Sequence, residues 1–165
     1  VVTGIQITGI DKDDKEALIA ELPDGVTTVI HRGVNSLIAC VGKGKCKNGQ
    51  METAELADYI ERKHYGRKTS HKCKIGISGC GRNCPDSMVK DIAFIGTSQG
   101  FMLAVGGNTG MRPEAGKILM RKLSVEQAKK AADILIDWYA ENGEPKERMG
   151  KLLERLGNPL ENKTL

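Results

Sequence analysis

At 165 residues and 17.9 kDa, with 39% hydrophobic residues and a mean hydropathy of −0.33, the chain can bury one globular core. Its longest apolar runs, such as FMLAV at 101–105, fall far short of the roughly 20 residues that cross a bilayer, which excludes a membrane-spanning helix. A net charge of +4 without any basic block, and only 4% aromatic residues, argue against nucleic acid as the main partner and suit small anions or acidic carrier proteins.

The opening VVTGIQITGI has no initiator methionine, which reads as a fragment or a processed chain, and its alternating Val1, Ile5 and Ile7 predict a strand ending near Gly9. DKDDKEALIAEL (11–22) predicts a short helix with acids in its first turn and Pro23 as its stop. GVTTVI (25–30) and NSLIAC (35–40) predict two more strands, and CVGKGKCKNG (40–49) is too rich in glycine to be anything but a loop. METAELADYIERKHY (51–65) follows as a helix with Leu56, Tyr59, Ile60 and Lys63 on one face and Gly66 at its end.

Four strands come next, in HKCKIGIS (71–78), DIAFIG (91–96), FMLAVGG (101–107) and KILMRKLS (117–124). SVEQAKKAADILIDWYAENG (124–143) is a helix with a capping box at Ser124 and Gln127, an apolar stripe of Val125, Ala128, Ala132, Leu135 and Tyr139, and a stop at Gly143. KERMGKLLERLG (146–157) adds a looser last helix. Consecutive strands after residue 71 favour an α+β fold over a doubly wound sheet.

Five cysteines, an odd number in a lysine-rich chain without a secretion signal, weigh against a disulfide framework and for metal or redox use in a reducing cytoplasm. The spacing is Cys40-x5-Cys46 and Cys80-x3-Cys84, each pair in a glycine-bearing loop after a predicted strand. Two such pairs can converge on a 4Fe-4S cluster, on zinc, or stay unliganded; the wide first gap favours the cluster. Strand period turns Cys73 inward with Ile75 and Ile77, as a small hydrophobe and not a ligand. Lys72 and Lys74 then share the opposite face with Gly76 and Ser78. Two ammonium groups about 7 Å apart repel each other. Such a pair is either a solvated face or the seat of an anion.

These residues together resemble one family. Cys40-x5-Cys46, then SGCGRNCPDSMVKDIAFIG (78–96), then GGNTGMR (106–112), resemble the iron–sulfur/siroheme domain of siroheme-dependent sulfite and nitrite reductases. TGIQITGI (3–10) and RGVNSLIAC (32–40) extend the likeness upstream. The resemblance implies an α+β fold with a mixed sheet: residues 1–30 as part of a ferredoxin-like lobe (strand, helix, strand) and residues 31–165 as the cofactor domain. It implies a 4Fe-4S cluster on Cys40, Cys46, Cys80 and Cys84, with Cys84 shared with siroheme, and Lys72 and Lys74 at the open side of the siroheme where the anion binds.

Siroheme carries eight carboxylates, so Arg32, Arg82 and Arg112 are candidate partners, each equally readable as a surface residue. Gly106, Gly107 and Asn108 would bring backbone close to the macrocycle. Val2 and Asn35 stand where the resemblance leads one to expect arginines of the substrate site, so either Lys72 and Lys74 suffice or a second chain, which a homo-oligomer would supply, completes the pocket.

The implied activity is six-electron reduction of sulfite to sulfide or nitrite to ammonia, fed by a ferredoxin-like donor. GKGK and VGGNTG fit neither a dinucleotide fingerprint nor a phosphate loop. A cluster-only electron carrier and a zinc-stabilised binding module are the competing readings.

Overall fold

A computed structural model describes residue 9, residues 11–22 and 33–161, and residues 163 and 165. The strands expected around 1–9 and 25–30, together with Val2, Pro23 and Arg32, lie outside the described residues. Of the expected lobe, the described part is a single 3-10 turn at Lys12–Asp14 leading into helix α1 (Lys15–Ala20). The helix is shorter than its sequence span because the first turn winds as 3-10.

Five strands form one mixed sheet in the order β1-β2-β3-β4-β5: β1 (Gly33–Ala39), β2 (Lys72–Ser78), β3 (Ile92–Thr97), β4 (Gly100–Val105) and β5 (Lys117–Leu123). β1, β2 and β3 run parallel, whereas β4 and β5 are antiparallel to their neighbours. The first parallel connection crosses over through helix α2 (Ala54–His64), the usual solution. The second, residues 79–91, contains only a 3-10 turn at Ser87–Val89 and carries the second cysteine pair. Helices α3 (Val125–Asn142) and α4 (Met149–Leu156) complete the chain. The fold is α+β, as the run of strands implied.

The sheet is two-faced in the way the strand period requires. Cys73, Ile75 and Ile77 are fully buried in the main core, with Ile92, Phe94, Phe101 and Leu103 of the neighbouring strands. Phe94 and Phe101 meet edge to face at 6.2 Å between ring centres. Leu56 and Ile60 of α2 and Ala128, Ala132, Leu135 and Tyr139 of α3 bury the apolar stripes of those helices in the same core. On the opposite face Ala93, Ile95 and Ala104 form a small second cluster covered by Met88 and Met102.

Helix α2 starts at Ala54, not Met51; the Met51 carbonyl, which a helix from that point would offer to the next turn, accepts Lys43 N–H at 2.9 Å instead. Lys63 shares the face of Tyr59, its ammonium donating to the Tyr59 hydroxyl at 2.9 Å. It is exposed and salt-bridged to Asp133 of α3 at 2.7 Å. Asp133 also accepts hydrogen bonds from Tyr59 (2.8 Å) and pairs with buried His64 (2.6 Å).

Burial alone would raise the Asp133 carboxyl, but the bonds from Lys63, His64 and Tyr59 outweigh it and hold the group below its ordinary value of 3.8. Its contribution to stability is therefore complete above that value and lost as the pH falls through the lowered one. Asp133→Asn is expected to flatten the stability–pH profile below about pH 4, measured by chemical denaturation; an unchanged acid limb would remove Asp133 from the α2–α3 junction.

At the start of α3 both halves of the capping box are present. Gln127 N–H donates to Ser124 Oγ at 3.1 Å, and Ser124 N–H donates to Gln127 Oε1 at 2.9 Å. Ser124→Ala is expected to lower stability by about 1 kcal/mol, read as a drop of a few degrees in Tm. Among the described residues no helix is long and apolar enough to cross a membrane.

Candidate metal centre and anion-binding face

All five cysteines are free thiols. The first pair enters from the end of β1, where Cys40 N–H continues the parallel ladder by donating to Ile77 O at 3.0 Å. The loop then folds back on itself. Cys46 N–H donates to Gly42 O (3.0 Å), Lys43 N–H donates to Met51 O (2.9 Å), and buried Thr53 donates its hydroxyl to Cys40 O (2.5 Å). A side chain at Gly42 would run into Thr53, and that residue also sits at φ +66°, so only glycine fits there.

The second pair leaves from β2 through Gly79, which joins the two loops. Its N–H donates to Cys40 Sγ at 3.0 Å, and its carbonyl accepts from Gln50 (2.8 Å) and Met51 (2.9 Å). A Cβ at Gly79 would lie 2.8 Å from Gly42 Cα, so the two cysteine loops touch backbone to backbone. The Cys80–Cys84 turn is braced from beneath. Asn83, in the left-handed region at φ 53°, accepts from Met88 N–H (3.2 Å) and from Ser78 Oγ (3.4 Å), and Ser78 and Ser87 hydroxyls meet at 2.9 Å. Cys80 is buried, Cys40 and Cys46 are half-buried, and Cys84 is exposed at the end of the turn.

Two stitched loops thus present four thiols of the soft, cluster-binding type. Among the described residues no three Cys, His, Asp or Glu side chains stand close enough to share one metal ion. Thiolates of this kind are the ligands of a 4Fe-4S cluster, one on each iron, as well as of structural zinc. The donor set fits the cluster. Cys73 is fully buried in the core, and burial raises its thiol well above the ordinary value, with Asp91 pushing the same way.

Lys72 and Lys74 are half-buried on the face of β2 away from the core, opposite Gly33 and Ser36 of β1. Farther along the same face, Gly76 and Ser78 are covered by Ser87. Ile38, beside Gly76 in the parallel register, is 44% exposed, a large apolar side chain left open next to the lysine row.

Arg82 and Arg112 are exposed, the latter within an exposed excursion, residues 109–115, closed by the Asn108–Glu114 bridge. Asn108 accepts Gly110 N–H at 3.1 Å with its side chain. Gly106 and Gly107 have an internal reason to be glycine. A Cβ at the first would lie 2.9 Å from Gly150 Cα of α4, and one at the second 2.4 Å from Met88 O.

Two residues near the lysines carry no motif. Asp91, 1% exposed, accepts Lys74 N–H at 2.8 Å and is held by Arg148 at 2.7 Å. In the sequence Asp91 reads only as the first letter of a strand; a lone acid leading into DIAFIG is the one signal available.

Residues 31–159 match the family described as "Nitrite and sulphite reductase 4Fe-4S domain". The chain is 31% identical over 153 residues to an assimilatory-type sulfite reductase of Nitratidesulfovibrio vulgaris, covering 93% of this chain and 70% of that protein. It is equally 31% identical over 153 residues to the NAD(P)H nitrite reductase of Bacillus subtilis, of which it spans only 19%. Among solved structures, dissimilatory sulfite reductase I shares the fold with a TM-score of 0.76 at 13% identity, over 93% of this chain and 58% of that one. The Mycobacterium tuberculosis NirA protein does so with a TM-score of 0.65 at 21% identity, over 90% of this chain and 30% of that one. The chain therefore belongs to the nitrite and sulphite reductase 4Fe-4S family, whose cofactors are a 4Fe-4S cluster coupled to siroheme.

Proposed function

We propose that this chain is the cofactor-bearing unit of a reductase that takes sulfite to sulfide, or nitrite to ammonia, in six one-electron steps. The observation that carries the reading is a single continuous arrangement. β2 presents two lysines on its open face and runs directly into the turn that presents Cys80 and Cys84, stitched through Gly79 to the loop of Cys40 and Cys46. A ferredoxin-like donor in a reducing cytoplasm would supply the electrons. Residues 31–165 form the cofactor domain in this reading, and residues 1–30 belong to a ferredoxin-like lobe.

Cys40, Cys46, Cys80 and Cys84 would hold the cluster, and Cys84, the most exposed of the four, would be the thiolate shared with siroheme. When bound, siroheme supplies the iron that takes the anion and, through the cluster, the electrons that reduce it. The Lys72 and Lys74 ammonium groups hold the anion by charge and stabilise negative charge as oxygen departs. Their Nζ–H groups also donate protons, directly or through water, to each departing oxygen. Arg82, Arg112 and Arg32 would neutralise macrocycle carboxylates, with Asn108 and the backbone at Gly106 and Gly107 beside them. Exposed Ile38 offers the same face an apolar surface suited to a flat ring. Because Val2 and Asn35 replace expected arginines, a second copy or partner chain would add the missing cations.

The test is parallel turnover of both anions by anaerobically purified protein with a reduced dye as donor. Formation of sulfide or ammonia supports the proposal. A protein that holds its cluster, cycles it with the dye and turns over neither anion is an electron carrier instead.

A further inference from the structure

The backbone amide of Lys74 is held by a side chain and not by the sheet. The β2–β3 ladder begins one residue later, at Ile75 opposite Ile92. At Lys74 the place of a strand carbonyl is taken by the Asp91 carboxylate, whose Oδ2 accepts the amide at 2.8 Å. The other oxygen, Oδ1, accepts two bonds from Arg148, from Nε at 3.1 Å and from Nη2 at 2.7 Å. Asp91 is 1% exposed, and its own carbonyl accepts Gly106 N–H at 2.8 Å, which pins the backbone that carries the carboxylate. Arg148 is the N-cap residue of α4, a helix anchored in the core by Met149 and Leu152.

A buried ion pair is a poor way to stabilise a fold, since an apolar pair of similar volume does as well or better. Placing one here is explained by what it grips. The peptide unit it holds is the one from which the Lys74 side chain leaves the sheet, and fixing that unit fixes the direction of departure. Arg148 neutralises the carboxylate, which would otherwise compete with an anion for the Lys74 ammonium. We propose that Asp91, backed by Arg148, is a positioning residue that aims Lys74 at the bound anion. The inference rests on Lys72 and Lys74 being the anion-holding pair.

The test uses the holoprotein and three variants. Asp91→Asn puts an amide nitrogen where either the Lys74 N–H or the guanidinium needs an acceptor, so one of the two contacts is lost. The double variant Asp91→Asn/Arg148→Gln restores a neutral version of the clamp: the new amide oxygen accepts Lys74 N–H, and its NH2 donates to the new Gln carbonyl. Asp91→Asn is expected to speed hydrogen exchange at the Lys74 amide and to raise the KM for the anion about tenfold, with kcat lowered alongside it and the absorption spectrum nearly unchanged. Both effects are expected to revert in the double variant, which a role of Asp91 through its charge alone would not allow.

A Lys74 amide that stays protected in Asp91→Asn, or a KM that stays raised in the double variant, overturns the proposal. Lys74→Met separates the two levels. If it lowers anion affinity while Asp91→Asn does not, the clamp is wrong and the lysine reading stands. If it leaves affinity unchanged, the lysine reading falls and the clamp has nothing to aim.

Discussion

Replacing Lys72 and Lys74 together by methionine is expected to lower turnover of sulfite and nitrite at least about a hundredfold while cofactor content stays at the wild-type level. The two side chains are half-buried on one face of β2, and neither ammonium is in a salt bridge among the described residues. Two like charges held side by side without a counter-ion are unfavourable, and an anion between them removes the penalty. Methionine keeps the length and apolar stem of lysine, so the strand and its neighbours keep their packing while the charge disappears. Steady-state kinetics with a reduced dye, alongside iron and siroheme content, decide the matter. Wild-type turnover in the double variant would return both lysines to the role of a solvated strand face.

Cys84→Ser is expected to lose iron and siroheme together, whereas Cys73→Ser keeps the full visible spectrum. The two residues are eleven positions apart, one buried in the core and the other exposed. Cys84 ends an exposed turn braced by Asn83, Ser78 and Ser87, where a thiolate can meet a cofactor. Cys73 is at 0% exposure in the core, and burial keeps its thiol protonated, the form that does not ligate iron. Its replacement by serine buries a hydroxyl, which costs about 1–3 kcal/mol of stability without touching the centre. Bleaching in Cys73→Ser at retained fold would overturn this division.

Much of this was legible because it is periodic or local. The alternation in KCKIGIS separates Cys73, Ile75 and Ile77 from Lys72 and Lys74, and the strand keeps that separation. The capping box and stripe of α3, and the loop character of CVGKGKCKNG, follow from single-segment chemistry in the same way.

What was not legible is pairing between distant segments. Asp91 and Arg148 are 57 residues apart, and His64 and Asp133 are 69 apart; nothing local marks either pair. The glycines show the same limit. GGN reads as a place for backbone to approach a cofactor, yet Gly106 and Gly107 are pressed against Gly150 and Met88 of the protein itself.

The absorption spectrum of anaerobically purified protein tests the central claim, that one strand and turn present both an anion-holding lysine pair and the thiols of a siroheme-coupled cluster. A sharp Soret band with a red band is expected over the broad absorption of a 4Fe-4S cluster. A colourless protein containing stoichiometric zinc would contradict it.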